Sequence, residues 1–271
     1  MAQHVTKGPF KPSTFFGILL LHIASGLAVW RITVGVTWPV WALALGLFVV
    51  SMLGITVGYH RLFNHRAFKC GIGTRKLLAF MGALSVQGTL QQWVTNHRQH
   101  HAFTDGAGDP HTPNEFPGFR GFLWAHVGWL FFEVKPPPGY TRIPPKDPVI
   151  AWETRWNPLF MAISFLLPFA IAGWNGFLVA GVLRVLVQLH LTWGINSGGH
   201  PDGEQVRDRS SNSWFMALLN WTGEPFHRNH HDQSSCAYLG WKWYQLDTGK
   251  YMIILLEHLG LAWDVQRPNR G

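Results

Sequence analysis

Charge is scarce in this chain. Asp, Glu, Lys and Arg together make up 13% of its 271 residues, against ~25% in an ordinary soluble domain. That shortage argues against a fold exposed to water on every side. Acidic residues are the scarcer sign, 14 against 22 basic, which leaves a formal charge of +8. A basic excess suits nucleic acid or an anionic membrane surface, and no nucleic-acid-binding module can be read here. Cysteine is limited to Cys70 and Cys236, too few for a disulfide framework. Internal repeats, heptads and low-complexity runs are missing. No cleaved leader is expected, because Met1–Ser13 is polar and no small-residue cleavage site follows the first apolar run.

What the chain does contain is apolar runs, tryptophan and histidine. Hydrophobic residues reach 47%, yet mean hydropathy is only +0.06. A membrane anchor joined to a sizeable polar portion satisfies both numbers. The 15 Trp suit membrane–water interfaces. Four stretches read as transmembrane helices, at about 15–34, 40–59, 158–173 and 177–195. Gly173-Trp174-Asn175-Gly176 is a turn signal between the last two. Leu77–Leu90 is apolar but short, and is expected to be buried or re-entrant; Gly121–Phe132 is expected to form an interfacial helix; Lys135–Pro148 reads as a surface connector. Basic residues orient the spans. Arg61, Arg66, Lys69, Arg75 and Lys76 follow the second span, whereas the loops between paired spans offer Arg31 alone. Both termini and the segments 60–157 and 196–271 are therefore expected on the cytoplasmic side. The expected fold is all-α and integral to the membrane: one domain over 1–271, four transmembrane helices and a cytoplasmic helical cap.

Histidine is the informative residue, with 15 in all. His60 and His65 close the second span in HRLFNH, His97, His100 and His101 form one HxxHH box, and His227, His230 and His231 form another. His200 ends Asn196-Ser-Gly-Gly-His200 at the exit of the fourth span. Residues at i, i+3 and i+4 share one helix face, so each box can point at one place. An i, i+5 pair can converge only where the helix ends or bends. Nine imidazoles then surround one cavity beneath the membrane. Imidazole suits Zn, Cu, Fe and Ni, and nine exceed the tetrahedral need of one zinc. Two metals with open positions fit better. Asp105, Asp109, Glu224 and Asp232 lie close enough in sequence to hold the other ring nitrogens. The remaining His4, His22, His126, His190 and His258 are expected to be surface or satisfied core residues. His111 is either a support for the centre or a turn residue. Arg184, inside the fourth span, is expected to snorkel or to pair within the bundle.

HRLFNH, NHRQHHAFTDGAGDPH, AHVGW, NSGGH and GEPFHRNHH, in this order, resemble the membrane fatty acyl desaturases, the delta-9 type in particular. The resemblance covers about Gly54 to Asp264, and the lean termini look most like bacterial and cyanobacterial acyl-lipid members. It implies that the nine histidines named above ligate two irons, with Asn196 reaching one iron through water. It also implies that Gln87, Trp93 and Thr192 lie at the bend of a narrow acyl tunnel. Trp93 precedes His97 by one helical turn, which is compatible with that role. Thr95-Asn96 and Glu133-Val134 stand where the animal enzymes carry charges for coenzyme A. This departure favours a lipid-linked acyl chain over another acyl thioester. No fused heme domain is read, so electrons are expected from a separate ferredoxin, rubredoxin or cytochrome b5-like protein.

The implied reaction uses O2 and two external electrons to place a cis double bond, at delta-9, in a saturated chain. The floor of the tunnel is expected near Ala44 and Phe48, several turns beyond His60. Two other classes stay open at this point: a fatty acid hydroxylase or alkane monooxygenase with related histidine boxes, and a non-catalytic membrane zinc protein. Zinc can also replace iron in an expressed enzyme of this kind.

Overall fold

The computed structural model describes residues 6–142, 146–200 and 210–269; His4 lies outside them. The described chain is mostly helical. Three helices are long and apolar enough to cross a membrane: Pro12–Val34, Trp38–Asn64 and Pro148–Gly198. The first, α1 (Pro12–Val34), begins with proline at a position where a missing N–H costs nothing. It leaves Phe16, Leu20 and Ile23 about 60% exposed and buries little. A helix that is apolar all round and still exposes its large side chains suits lipid rather than water.

The second helix, α2 (Trp38–Leu53), continues through Gly54–Asn64 as π-helical turns with i→i+5 hydrogen bonds. Two glycines spaced four apart explain its neighbour. A Cβ on Gly54 would fall 2.1 Å from Gly82 N, and one on Gly58 2.8 Å from Leu78 O. These glycines let the backbone of α3 (Ile72–Ala83) lie directly against the π turns, in the small-xxx-small manner of membrane helices. At 12 residues, α3 is too short to cross a hydrocarbon core of about 30 Å. Its Leu78, Ala79 and Ala83 are fully buried. The helix therefore starts earlier and stops earlier than the apolar stretch Leu77–Leu90, whose last residues form a loop.

The 51-residue helix Pro148–Gly198 would reach about 75 Å if straight. It is broken at Ala172 (φ −135°, ψ 21°) and Gly173 (φ 57°, ψ −146°), where the Gly-Trp-Asn-Gly signal lies. Arg184 donates to the carbonyl of Ser164 at 3.1 Å, and a Cβ on Gly176 would meet Pro168 O at 2.0 Å. The element is thus a hairpin of two antiparallel arms. One arm is α6 (Pro148–Asn175); the other is the π-helical stretch Gly176–Leu183 followed by α7 (Arg184–Gly198). The first arm begins ten residues before Pro158, because Asp147 accepts from the amides of Val149 and Ile150. That cap, with Pro148 next to it, starts a helix that hydropathy alone does not register.

The polar segments add α4 (Leu90–Phe103), α5 (Phe119–His126), α8 (Trp214–Leu219), α9 (His227–Asp232) and α10 (Thr248–His258). Thr89 starts α4 with a reciprocal capping box to Gln92. The helix α5 is shorter than the stretch Gly121–Phe132: it ends at His126, and Phe132–Lys135 pairs as a strand with Thr6–Phe10. Lys69–Cys70 pairs with Ala262–Trp263. An all-helical reading misses these two small ribbons. The main core joins the π turns, α3, α4, α6 and α10 through Val57, Leu78, Leu90, Ile150 and Ile253, all nearly inaccessible.

Candidate metal centre

The convergence of His60 and His65 has a local cause. His65 N donates to His60 O at 3.1 Å, an i→i+5 bond of the widened helix. The wider turn brings residues five apart onto one face just before the helix ends at Asn64. The helix α4 carries His97, His100 and His101, α9 carries His227, His230 and His231, and His200 follows α7.

The nine rings form two groups, His60, His65, His97, His101 and His230 in one, and His100, His200, His227 and His231 in the other. Each HxxHH box is therefore divided. At about 100° per residue, His97 and His101 share a direction while His100 sits on the far side of that face. On α9 the same geometry parts His230 from His227 and His231. The expectation that each box points at one place is corrected on this ground. The groups lie back to back, with the rings of His101 and His231 stacked at 4.7 Å.

In the larger group, Nε2 of His60 is 3.1 Å from that of His230, and His230 is 2.9 Å from His101. His97 is 3.1 Å from both His65 and His101. In the smaller group the separations are 2.8 Å for His200–His227, 3.1 Å for His227–His231 and 3.3 Å for His100–His231. Two ligands at right angles, each about 2.1 Å from a first-row metal, stand about 3.0 Å apart. The donor sets match that edge.

Carboxylates turn three of these lone pairs inward. His60 Nδ1 is 2.8 Å from Glu224, His100 Nδ1 is 2.9 Å from Asp109, and His200 Nδ1 is 3.1 Å from Asp105. A neutral ring that donates from Nδ1 must present a bare Nε2. Burial, reinforced by neighbouring rings, holds His65, His97, His100, His227 and His230 well below the usual imidazole range. They are neutral, the form that binds metal. Burial alone would raise Glu224, but His60 and Arg61 beside it, and the Thr56 hydroxyl, hold it below the usual carboxylate range. Burial pushes Asp109 up to about 7 against the pull of His200 and the amides of Asp105 and His111. Asp232 does not join them: it pairs with Arg228 at the surface, 2.9 Å away, because its place on α9 faces solvent. His111 is buried with its ring 4.4 Å from that of His100, so it packs behind the centre.

A cavity opens beside the rings, lined by Met52, Ile55, Thr56, His60, Trp93, His97, Thr192, Ile195, Asn196, Asn220, Thr222, Glu224 and His227. Gln87 donates to Thr192 at 3.0 Å and accepts from Trp93 Nε1 at 3.3 Å, and Trp93 stacks on His97. Ala44 and Phe48 do not line the cavity. Ala44 packs against Val40, Val179 and Ala180, while Met52 and Ile55, closer to His60 on the same helix, face the cavity.

Sequence reasoning overlooked the buried pair of Arg61 and Asp247, 2.8 Å apart. Arg61 also donates to the carbonyls of Thr222 and Ala237. It thereby ties the helix of His60 and His65 to the loop before α9. The one available signal was an arginine inside HRLFNH at the end of an apolar span. Ser51 and Gln188 share a buried hydrogen bond of 2.7 Å between α2 and α7, which no spacing announced. His22, His190 and His126 form a separate hydrogen-bonded row that ends on Ser197. His258 bonds its own helix at Ile254 O.

Residues 36–263 match the family model described as fatty acid desaturase. The "sn-1 stearoyl-lipid 9-desaturase" of Anabaena variabilis is 35% identical over 92% of this chain and 92% of its own length. The "Delta-9 acyl-lipid desaturase 1" of Arabidopsis thaliana is 35% identical over 94% of this chain and 83% of its own. The "Hex-5-enoyl-[acyl-carrier protein] acetylenase" of Moorena producens is 36% identical over 83% and 76%. The chain belongs to the fatty acid desaturase family, and it is an oxidoreductase.

Proposed function

We propose that this chain is an O2-dependent, di-iron acyl-lipid desaturase that introduces a cis double bond at delta-9 of a saturated chain. The observation that carries the reading is the division of nine buried or half-buried imidazoles into two groups, each with its donor atoms close together, beside one cavity. His60, His65, His97, His101 and His230 hold one iron; His100, His200, His227 and His231 hold the other. Asn196, in the cavity wall, holds a water toward one of them. Zinc can occupy the same nitrogen sites. When bound, the irons supply the O2 chemistry that removes two hydrogens from neighbouring carbons, a task beyond any side chain.

The protein's own residues do the rest. Glu224, Asp109 and Asp105 keep the rings of His60, His100 and His200 in one tautomer and orientation. Gln87, Thr192 and Trp93 bend the acyl chain against the rings, and Met52 and Ile55 give the cavity apolar walls that exclude water. One O2, two electrons and two protons leave as two waters when the chain loses two hydrogens. The electrons come from a separate protein, a ferredoxin, rubredoxin or cytochrome b5-like donor. Placing both hairpin arms, α1 and α2 across the bilayer gives four spans. Every histidine group then lies on the cytoplasmic side, beneath a helical cap, with both termini.

Expression in a host whose lipids lack the product tests this reading. Lipid mass spectrometry should find a new double bond between carbons 9 and 10, and His100→Ala should abolish it. A hydroxylated product, or none with the chain inserted and metal-loaded, would refute the reading. A triple bond would move it toward the relative from Moorena producens.

A further inference from the structure

Arg184 sits in the membrane hairpin, 4% exposed, and among the described residues no carboxylate forms an ion pair with it. A charge buried there is costly and marks function until shown otherwise. Its donors go to carbonyls and a hydroxyl: Nε to Ala180 O at 3.0 Å, Nη1 to Leu84 O at 2.9 Å, and Nη2 to Ser164 O and Oγ at 3.1 and 2.7 Å. Ser164 Oγ donates to the same Leu84 carbonyl at 2.7 Å. Leu84 is where α3 ends and the loop to α4 begins.

The far end of this loop is held as tightly. Asn157 Nδ2 donates to Gly88 O at 3.2 Å, and Glu153 accepts from Leu90 N at 2.7 Å. Glu153 is itself fixed by Tyr59 and Asn157. Between the clamps, Val86 has φ 61° and Gly88 φ 86°. A β-branched residue in the left-handed region is strained, and such strain persists only where surroundings impose it. The residue presented by this strained turn is Gln87, which bonds both Thr192 and Trp93. Thr192 lies eight residues after Arg184, two steps of four along one helix row. One helix therefore carries both the clamp on the loop and the loop's partner at the cavity wall.

We infer that Arg184, with Ser164, is a positioning residue that fixes Gln87 against Thr192 and thereby sets which carbons of the acyl chain meet the metal centre. The inference rests on the desaturase reading above. Misplacing a reacting centre by about 1 Å changes rate by about a hundredfold. Loosening the loop by that much lets neighbouring carbons compete.

The test is the ratio of double-bond positions in host lipids, a quantity independent of enzyme amount, for wild type, Arg184→Gln and Ser164→Ala. The wild type should give one position. Arg184→Gln should raise the off-position fraction about tenfold or more. The milder Ser164→Ala, which removes one hydroxyl, should move it the same way by a smaller factor. Hydrogen–deuterium exchange of the purified chains should show residues 84–90 exchanging at least about tenfold faster in Arg184→Gln. An unchanged isomer ratio in whichever variant turns over, or unchanged exchange in the loop, overturns the inference. A wild type that makes no double bond instead sinks the desaturase reading on which it stands.

Discussion

Replacing Glu224 with Gln probes the support of the metal centre at one atom. The glutamate accepts from His60 Nδ1 at 2.8 Å and from the Thr56 hydroxyl, with Arg61 3.9 Å away. Glutamine keeps the shape and one acceptor, but removes the charge that favours the Nδ1-protonated ring. Loss of such a support lowers metal affinity by about 10–100-fold, or about 1.4–2.7 kcal/mol. At fixed free metal, that difference appears as lost stability of the loaded protein alone. Thermal unfolding of wild type and Glu224→Gln should therefore be compared in detergent, metal-free and metal-saturated. The two midpoints should nearly coincide without metal and separate with it, and the metal titration should shift to higher concentration by the same factor. Equal losses in both states would refute the reasoning, because Glu224 would then be a packing residue.

Asp247→Ala removes the close carboxylate partner of the buried Arg61, at a cost of about 3–5 kcal/mol; here the unfolding midpoint should fall equally with and without metal. Gly54→Ala forces a Cβ toward Gly82 N, 2.1 Å away, and overpacking of this kind costs about 1–3 kcal/mol, read as earlier unfolding in detergent. Asp232→Asn disrupts only an exposed pair with Arg228, worth about 0–1 kcal/mol, so metal content and double-bond yield should stay at wild-type levels. His65→Ala and His200→Ala remove donors from different groups, so each should lower metal content by about one ion per chain, measured by elemental analysis.

Hydropathy revealed the long apolar helices, because an apolar run leaves its mark on every residue of the helix. The first helix runs Pro12–Val34 against an expected 15–34, and the turn at Gly173 falls where four residues announced it. Histidine spacing was equally legible, since residue chemistry and helical period act locally. Features set by a partner far along the chain were not. The start of α6 is local, set by the cap of Asp147, but it leaves no mark in apolar content. Glu224 stood out by its closeness to the last histidine box, but the ring it holds is His60, 164 residues away, whereas Asp232, nearer to that box in sequence, faces water. The π turns escaped notice because i→i+5 bonding has no residue signature of its own; Gly54 and Gly58 lie within them, packed closely against α3. Arg184 could be flagged as buried charge, but its carbonyl partners at Leu84 and Ser164 come from two other elements.

Nine imidazoles, on the reading proposed above, hold two metal ions side by side. Elemental analysis of the purified, catalytically active chain, with protein quantified by amino-acid analysis, tests it most directly. Two first-row metal ions per chain are expected. A chain that forms double bonds while carrying only one ion would contradict it.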